Sequence, residues 1–271
     1  MSALQPVAVI TGASSGIGAA LARVFAGNGH NVVLVGRREA LLNQLADDLA
    51  VDGRRRPLVI PLDLTRMDTP VRIGHELTAR GLEPAFVVNN AGFGLVGRAA
   101  ELDRGEQLAM IDLNMRALTD LSIRFIDSLA RHRGGILNVA SVSAFLPGPG
   151  MALYHATKSY VVSLSEALHT ELAPLGIRVS VLCPGPVPTE FQQRAGFDPR
   201  QLPRMLTCSA EWVAQQGYDG LMRNKRVVLP GWGNKLVRLM LRVAPQRVVL
   251  RTVDAAMKQR RAPPPRWPKR S

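Results

Sequence analysis

The sequence predicts one doubly wound α/β domain, a parallel sheet of about seven strands, followed by a helical C-terminal extension. Three observations predict it. Short continuous apolar runs alternate with longer stretches of helical period; a glycine-rich turn joins the first run to the first helix; and 271 residues suffice for one large domain but not for two with a linker. Continuous rather than alternating apolar runs belong to strands buried on both faces, as in a parallel sheet covered by helices.

The elements follow in order. Residues 6–10 form a β-branched strand that breaks into TGASSGIG at 11–18, and Ala20, Leu21, Val24 and Phe25 then mark a helix closing near 27–29. Strand 31–35 is followed at once by Arg37 and Arg38, and Leu41, Leu42, Leu45 and Leu49 continue as helix. Strand 58–62 ends in Asp63. Helix 68–80, strand 85–88, a long helix 103–132, strand 135–140, helix 154–175, strand 177–182 and a short strand 227–229 complete the alternation. Between Pro188 and Ala210 the rhythm fails: Phe191, Phe197, Leu202, Met205 and Leu206 are apolar but keep no period. An insertion after a strand's carboxyl end borders the ligand crevice of such a sheet, so 188–210 reads as a substrate lid, with a plain structural connection as the alternative.

Composition narrows the class. An apolar content of 46% with 20% charged residues is ordinary for a globular protein. Two cysteines, Cys183 and Cys208, are too few for a disulfide framework and fit a cytoplasmic chain with small buried thiols. No run of about 18 apolar residues suggests a spanning helix, and the N-terminus lacks the pattern of a secretory signal. The net charge of +13 is local: of 34 basic and 21 acidic residues, 14 and one (Asp254) lie from Arg223 onward, leaving 20 of each before it. A neutral body argues against nucleic acid as the partner of the whole domain. No cluster of metal-ligand spacing stands out.

The glycine turn carries the first chemistry. Gly12, Gly16 and Gly18 follow a strand and open a helix, where missing side chains let the backbone approach a pyrophosphate at the helix N-terminus. Their G-x-x-x-G-x-G spacing is weak alone, and an ordinary strand–helix turn would use it too. Three further motifs stand behind it: NNAG at 89–92, Tyr154-x-x-x-Lys158, and Pro184-Gly185 with Val187 and Thr189. Together, in order and at these distances, they resemble the short-chain dehydrogenase/reductase family, over residues from about 7 to about 230.

That resemblance implies a Rossmann fold and an NADP(H)-dependent oxidoreductase that reduces a carbonyl or oxidises the alcohol. Tyr154 becomes the general acid/base. Free tyrosine, with a pKa near ~10, exchanges protons poorly at neutral pH; an ammonium four residues on, on the same helix face, together with the positive nicotinamide, is expected to lower it. Lys158 would also hold the nicotinamide ribose. Ser141, 13 residues before the tyrosine, is the third member and would polarise the substrate oxygen, with Ser143 its rival. Asn114 matches the fourth, which in the family helps hold a water linking the lysine to solvent; a buried structural asparagine is the alternative. His155 should point elsewhere.

The resemblance also implies the cofactor's surroundings. The turn contributes Gly12, Ser14, Ser15, Gly16, Ile17 and Gly18; Asp63 bonds the adenine, with Leu64 after it; Asn90, Ala91 and Gly92 line the adenosine side; and Pro184, Gly185 and Val187 also bind the cofactor, with Thr189 near the carboxamide. An NAD-selective member carries a carboxylate just after the second strand, but here that place is Gly36, followed by Arg37 and Arg38. Two cations and no carboxylate favour the 2′-phosphate of NADP, with solvent-facing arginines as the alternative. The apolar lid favours an acyl, lipid or steroid-like ketone. A non-catalytic nucleotide sensor has no need of all four of Asn114, Ser141, Tyr154 and Lys158. A hydrolase is disfavoured because Ser141 lacks a nucleophile elbow.

The catalytic body is expected to span 1–232 and the extension 233–271. Lys235, Arg238 and Arg242 alternate with Leu236, Val237, Leu239, Met240 and Val243; after Pro245, Arg247, Arg251 and Lys258 alternate with Val249, Leu250, Val253 and Met257. These are two amphipathic cationic helices, and the Pro-rich, charged end beyond 261 is expected to stay disordered. Their apolar faces either rest at an anionic membrane, at the inner face of a bilayer through 233–261, or pack on the protein itself or a sister subunit. Interleaved aromatics for single-strand stacking are absent. The family commonly pairs helices like 103–132 and 154–175 between subunits, which implies a homodimer or homotetramer.

Overall fold

The computed structural model describes residues 4–51, 53–195 and 207–260. Seven strands form one fully parallel sheet: β1 (Gln5–Thr11), β2 (Val32–Gly36), β3 (Leu58–Pro61), β4 (Leu82–Asn89), β5 (Gly135–Val139), β6 (Arg178–Leu182) and β7 (Val227–Val228), in the order β3-β2-β1-β4-β5-β6-β7. The order reverses between β1 and β4, so a crevice opens beyond their carboxyl ends, where such sheets bind ligands.

Strand geometry sends successive side chains to opposite faces, and each face has its own helical layer. Ala8 and Ile10 of β1, with Leu34, Val88 and Leu137, meet α1 (Gly16–Gly27), α2 (Glu39–Leu49) and α9 (Ala210–Met222) through Leu21, Phe25, Leu42, Leu45, Val213 and Leu221. Val7 and Val9, with Val33, Val87, Ile136 and Val179, meet the other layer. That layer holds α3 (Thr69–Thr78), α4 (Arg104–Ile111), α5 (Leu118–Arg124), α6 (Ile126–Arg131) and α7 (Ala152–Glu171). Both faces are apolar, which is why the strands read as unbroken hydrophobic runs. The first layer is pinned where Phe25 packs edge-on against Tyr218 and Phe86, with His30 donating to or accepting from the Tyr218 hydroxyl at 3.0 Å.

The helix expected over 103–132 is not one α-helix. Asp103 caps its start by accepting from the Glu106 amide at 2.8 Å, but residues Asp112–Ala117 form a wide π-helical turn and Phe125 (φ −107°, ψ 18°) breaks the remainder between α5 and α6. Such turns cluster at functional sites, and Asn114 lies within this one. Helix 154–175 starts two residues earlier and ends at Glu171, followed by a 3₁₀ turn Ala173–Leu175.

After β6 a six-residue helix α8 (Glu190–Ala195) begins the expected lid, and the Val96 amide donates to the Ala195 carbonyl at 2.9 Å. Residues 196–206 of that lid, with Phe197, Leu202, Met205 and Leu206, lie outside the described residues, as does the tail from 261. The extension is helical as expected: α10 (Trp232–Val243) and α11 (Gln246–Arg260) meet at Ala244–Pro245. Asn234 is buried in α10, and Val253 and Met257 of α11 pack against the body.

Phe25 is fully buried at the junction of α1, α9 and the sheet. Phe25→Ala is expected to lower stability by about 3–5 kcal/mol, whereas Ile123→Ala, at an exposed position, should stay within about 0.5 kcal/mol. Urea unfolding curves that shift equally for both would contradict this account of the core.

Candidate active site

The glycine turn is locked against the far wall of the crevice. Gly12 and Gly16 have φ of 64° and 56°, a region that disfavours side chains. A Cβ on Gly18 would stand 2.2 Å from the Gly12 carbonyl oxygen and 2.4 Å from Asn90 Nδ2, and one on Gly16 would stand 2.9 Å from Thr189 Cγ2. Asn90 Nδ2 donates to the carbonyls of Thr11 (3.0 Å) and Gly12 (3.2 Å). The Thr11 hydroxyl donates to the Val88 carbonyl at 3.2 Å and accepts from the amides of Asn90 and Ala91 at 3.0 and 3.1 Å. A smooth backbone cradle therefore faces the N-terminus of α1, with Ile17 turned into the core.

Arg38 lies over this cradle. Its guanidinium donates to Ser14 Oγ from Nε (3.1 Å) and Nη2 (3.0 Å), to Ser15 Oγ (2.6 Å), and to the Glu190 carboxylate at 2.5 Å; Ser15 donates to the same carboxylate at 3.0 Å. Ser15 is the N-cap of α1 but its hydroxyl does not cap that helix; it turns outward to this cluster. Arg38 and Ser15 together hold Glu190 below the ordinary carboxylate range. Arg37 instead lies 3.8 Å from Asp63, whose side chain also accepts from the amide and hydroxyl of Thr65. Leu64 is buried in the second layer, and Val187 in the first. The Pro184 carbonyl accepts from the Val142 amide at 3.0 Å, which joins the Ser141 turn to the start of the segment that runs on through Gly185 to Thr189.

Ser141, Tyr154 and Lys158 come together at the carboxyl end of β5. Ser141 caps a 3₁₀ turn, Val142–Phe145, accepting from the Ser143 amide at 3.1 Å and donating to Ser143 Oγ at 3.0 Å. Of the two serines it is Ser141 whose hydroxyl acts on the Tyr154 phenol, favouring the charged form. Tyr154 stands in the first turn of α7 and Lys158 one turn on, its Nζ 5.9 Å from the phenol ring centroid and donating to the Val139 carbonyl at 2.8 Å. Both are buried. His155 points away, its Nδ1 2.9 Å from the Leu146 carbonyl.

Asn114 is fully buried and tightly bonded. Its Nδ2 donates to the Phe93 carbonyl (2.9 Å) and to Thr157 Oγ1 (3.1 Å), and its Oδ1 accepts from the Phe93 amide (3.1 Å). It thereby ties the 90–93 segment to α7. Gly92 lets this happen beside the lysine: a Cβ there would meet Asn114 Oδ1 at 3.1 Å and Lys158 Nζ at 3.4 Å.

The expected lowering of the tyrosine is not what the protein alone produces. Burial dominates and pushes Tyr154 up to about 12, with the Ser141 bond acting against it. The ammonium that should lower it points to a backbone carbonyl and is itself pushed down to about 8 by burial. The neighbouring Cys183 thiol is driven up to about 12 for the same reason, which leaves it inert.

An apolar wall surrounds the phenol, and much of it was not marked by any motif. Phe93, Met110, Met151 and Met257 are buried with Tyr154, and Phe191 lies with its ring 5.5 Å from the phenol. Met257 comes from α11. In the sequence it is one of several apolar positions on an amphipathic helix, and nothing in that pattern says which residue reaches the site. Glu190 was signalled only by its place next to Thr189.

Comparison with known proteins follows this geometry. The family model for short chain dehydrogenase matches residues 6–199. Sulfoacetaldehyde reductase 2 of Chromohalobacter salexigens is 34% identical over 191 residues, 69% of this chain and 75% of that protein. A short-chain dehydrogenase from Sphingobium yanoikuyae, solved in complex with NADPH, superposes with a TM-score of 0.76 at 31% identity, covering 90% of this chain and 97% of that one. The 3-ketoacyl-(acyl-carrier-protein) reductase of Brucella melitensis, complexed with NADH, gives 0.75 at 26% identity, covering 85% and 99%.

The buried ammonium makes a pH-dependent prediction. Between about 8 and its ordinary 10.5, the unfolded chain binds the proton that folded Lys158 has lost, so stability rises with pH across that window and the burial cost is fully present below it. Relative to Lys158→Met, the wild type should gain on the order of 2 kcal/mol between pH 7 and pH 9.5. A difference that does not change with pH in denaturant titrations would show that the ammonium is not desolvated.

Proposed function

The chain belongs to the short-chain dehydrogenase/reductase family, and from that premise we propose that it is an NADP(H)-dependent reductase of apolar ketones. The observation that carries the reading is the convergence of Ser141, Tyr154 and Lys158 beside the glycine cradle, within an apolar wall. A non-catalytic sensor would need the cradle but not a tyrosine buried beside Ser141 and Lys158.

The residues fit a nicotinamide dinucleotide. The cradle of Gly12, Gly16 and Gly18, braced by Asn90, leaves room for a pyrophosphate at the N-terminus of α1, and Lys158 stands beside Tyr154 toward the reacting end. When bound, the reduced nicotinamide supplies the hydride. Tyr154 donates its phenolic proton to the substrate's carbonyl oxygen, or takes the proton back in the alcohol direction. Ser141 donates a hydrogen bond to that same oxygen, which favours the charge that develops on it. Lys158, charged below about pH 8, favours the phenolate once Tyr154 has given up its proton. Asn114 keeps Phe93 and α7 in register, so that wall and acid stay in fixed relation.

Cofactor choice rests on this chain's own residues, because relatives of similar likeness bind either NADPH or NADH. Arg38 and the Ser15 hydroxyl converge on the Glu190 carboxylate, and Ser14 accepts from the same guanidinium. In this reading Glu190 occupies the anion site that a 2′-phosphate takes over. The phosphate presents more charge and more acceptor oxygens than a carboxylate. The substrate's reacting carbonyl enters a wall of Phe93, Met151, Phe191 and Met257, which suits acyl or steroid-like chains better than small anions.

Three measurements follow. Tyr154→Phe should abolish turnover of NADPH with a bulky ketone while leaving NADPH binding intact. In fluorescence titrations, Arg38→Ala should weaken NADPH by roughly tenfold to a hundredfold, the loss of about 1.5–3 kcal/mol of charge-assisted bonding, and leave NADH nearly unchanged; Arg37→Ala should cost less. Glu190→Gln should tighten NADPH. Equal NADPH and NADH affinities, untouched by Arg38→Ala, would defeat the cofactor reading.

A further inference from the structure

Among the described residues, nothing covers one face of α10. Trp232, Leu236, Leu239, Met240 and Val243 are all exposed, from 47% for Leu236 to 82% for Val243. At about 100° per residue they share an arc roughly 100° wide. The opposite side is the attached one: Gly233 and Asn234 are buried, Val237 and Leu241 half-buried, and Asn234 Nδ2 donates to the Pro230 carbonyl at 2.7 Å. This is not an ordinary scatter of surface hydrophobes.

Charge surrounds the stripe. From Gly220 to Val253 the chain has eight basic residues and no acidic one. Lys235 is exposed on α10, and Arg247 and Arg251 are exposed on α11, next to Val248 and Leu250, which also face outward. Arg238 lies with its guanidinium 4.5 Å from the Phe145 ring centroid and fastens the helix to the turn that Ser141 caps.

We propose that the exposed face of α10, with the start of α11, is a docking surface for anionic phospholipid, on which the helix lies in the plane of the interface. Apolar stripe and basic flank are the two components of such binding: the first enters the acyl boundary, the second meets the headgroups. A second copy of the chain fits less well. In a two-fold antiparallel pairing each flank faces its own copy, so the Lys235 flank would meet the Lys235 flank, and like charges oppose it. Anionic lipid has the complementary sign. Among the described residues no helix is long and apolar enough to cross a membrane, so the surface rests on a bilayer and does not span it.

Position gives the surface a use, and this part rests on the catalytic reading. One side of α10 holds the Ser141 turn through Phe145, and α11 carries Val253 and Met257 to the wall around Tyr154. A ketone dissolved in the bilayer would therefore find the pocket wall immediately behind the lipid-facing helix.

Flotation of the full-length protein with vesicles tests the surface without any turnover. With phosphatidylcholine containing about a third phosphatidylglycerol, wild type should float at least tenfold more than with phosphatidylcholine alone. Met240→Asp, an exposed change, should fall to background, and Lys235→Glu with Arg247→Glu should weaken binding and flatten its salt dependence, with NADPH affinity and circular dichroism unchanged in all. Wild type that stays unbound, or binds both vesicles equally, overturns the proposal. So does a sedimentation experiment in which wild type is a dimer that Met240→Asp splits, since a sister subunit then covers the face. NADPH titration of the same samples keeps the catalytic reading separate: it can fail while flotation succeeds, and the reverse.

Discussion

The close approach of two strand ends governs this molecule. β1 and β4 are neighbours whose carboxyl termini must both turn within van der Waals contact of each other, and the Thr11 hydroxyl joins them by bonding the backbone on either side of the turn at Asn90. That contact is possible only because Gly12 and Gly18 present no side chain to Asn90. Every later feature is hung from it. The crevice has its width because the seam is tight, Gly92 comes close to Lys158 because the segment after β4 is held, and α7 is positioned because Asn114 grips Phe93, the next residue.

The reacting groups sit in a place hostile to charge. Tyr154, Lys158 and Cys183 are all buried at the end of the sheet, and burial moves each toward its neutral form. A site of this kind keeps its proton donor protonated until something cationic or hydrogen-bonding arrives. Nearby, but outside the sheet's shelter, Arg38 and Glu190 form a charged pair at an exposed lip. The candidate site thus divides by solvation: an ion pair at the rim, where charges are cheap to hold, and buried titratable groups inside, where they are not.

Much of this was legible in the sequence for a physical reason. Strands buried on both faces must be apolar throughout, so 6–10 and 31–35 announce themselves, and residues that need bare backbone must be glycine, so the turn at 12–18 does too. Tyr154 and Lys158 could be placed together from their spacing on a helix, whereas Ser141 and Asn114 were marked by the family resemblance. What could not be read depends on distances between remote segments. A π turn changes the pitch of a helix without changing its apolar count, so the break at 112–117 left no mark. Met257 looks like any other apolar residue of an amphipathic helix, although it ends beside Tyr154. The direction of the tyrosine's shift is set by burial, and the Val139 carbonyl that claims the Lys158 ammonium is 19 residues away in sequence.

The wide turn at Asp112–Ala117 has a geometrical consequence. Met110 and Leu121 are eleven residues apart, and in an unbroken α-helix positions at that spacing lie about 20° from each other, on one face. Here they serve different neighbours, Met110 the wall around Tyr154 and Leu121 the underside of the sheet. The extra residue taken into the turn supplies the rotation that separates them. One stretch of chain is divided between two jobs by counting and not by composition, and the unit of that count is a single residue: shortening the turn by one would swing the half that carries Met110 around its own axis.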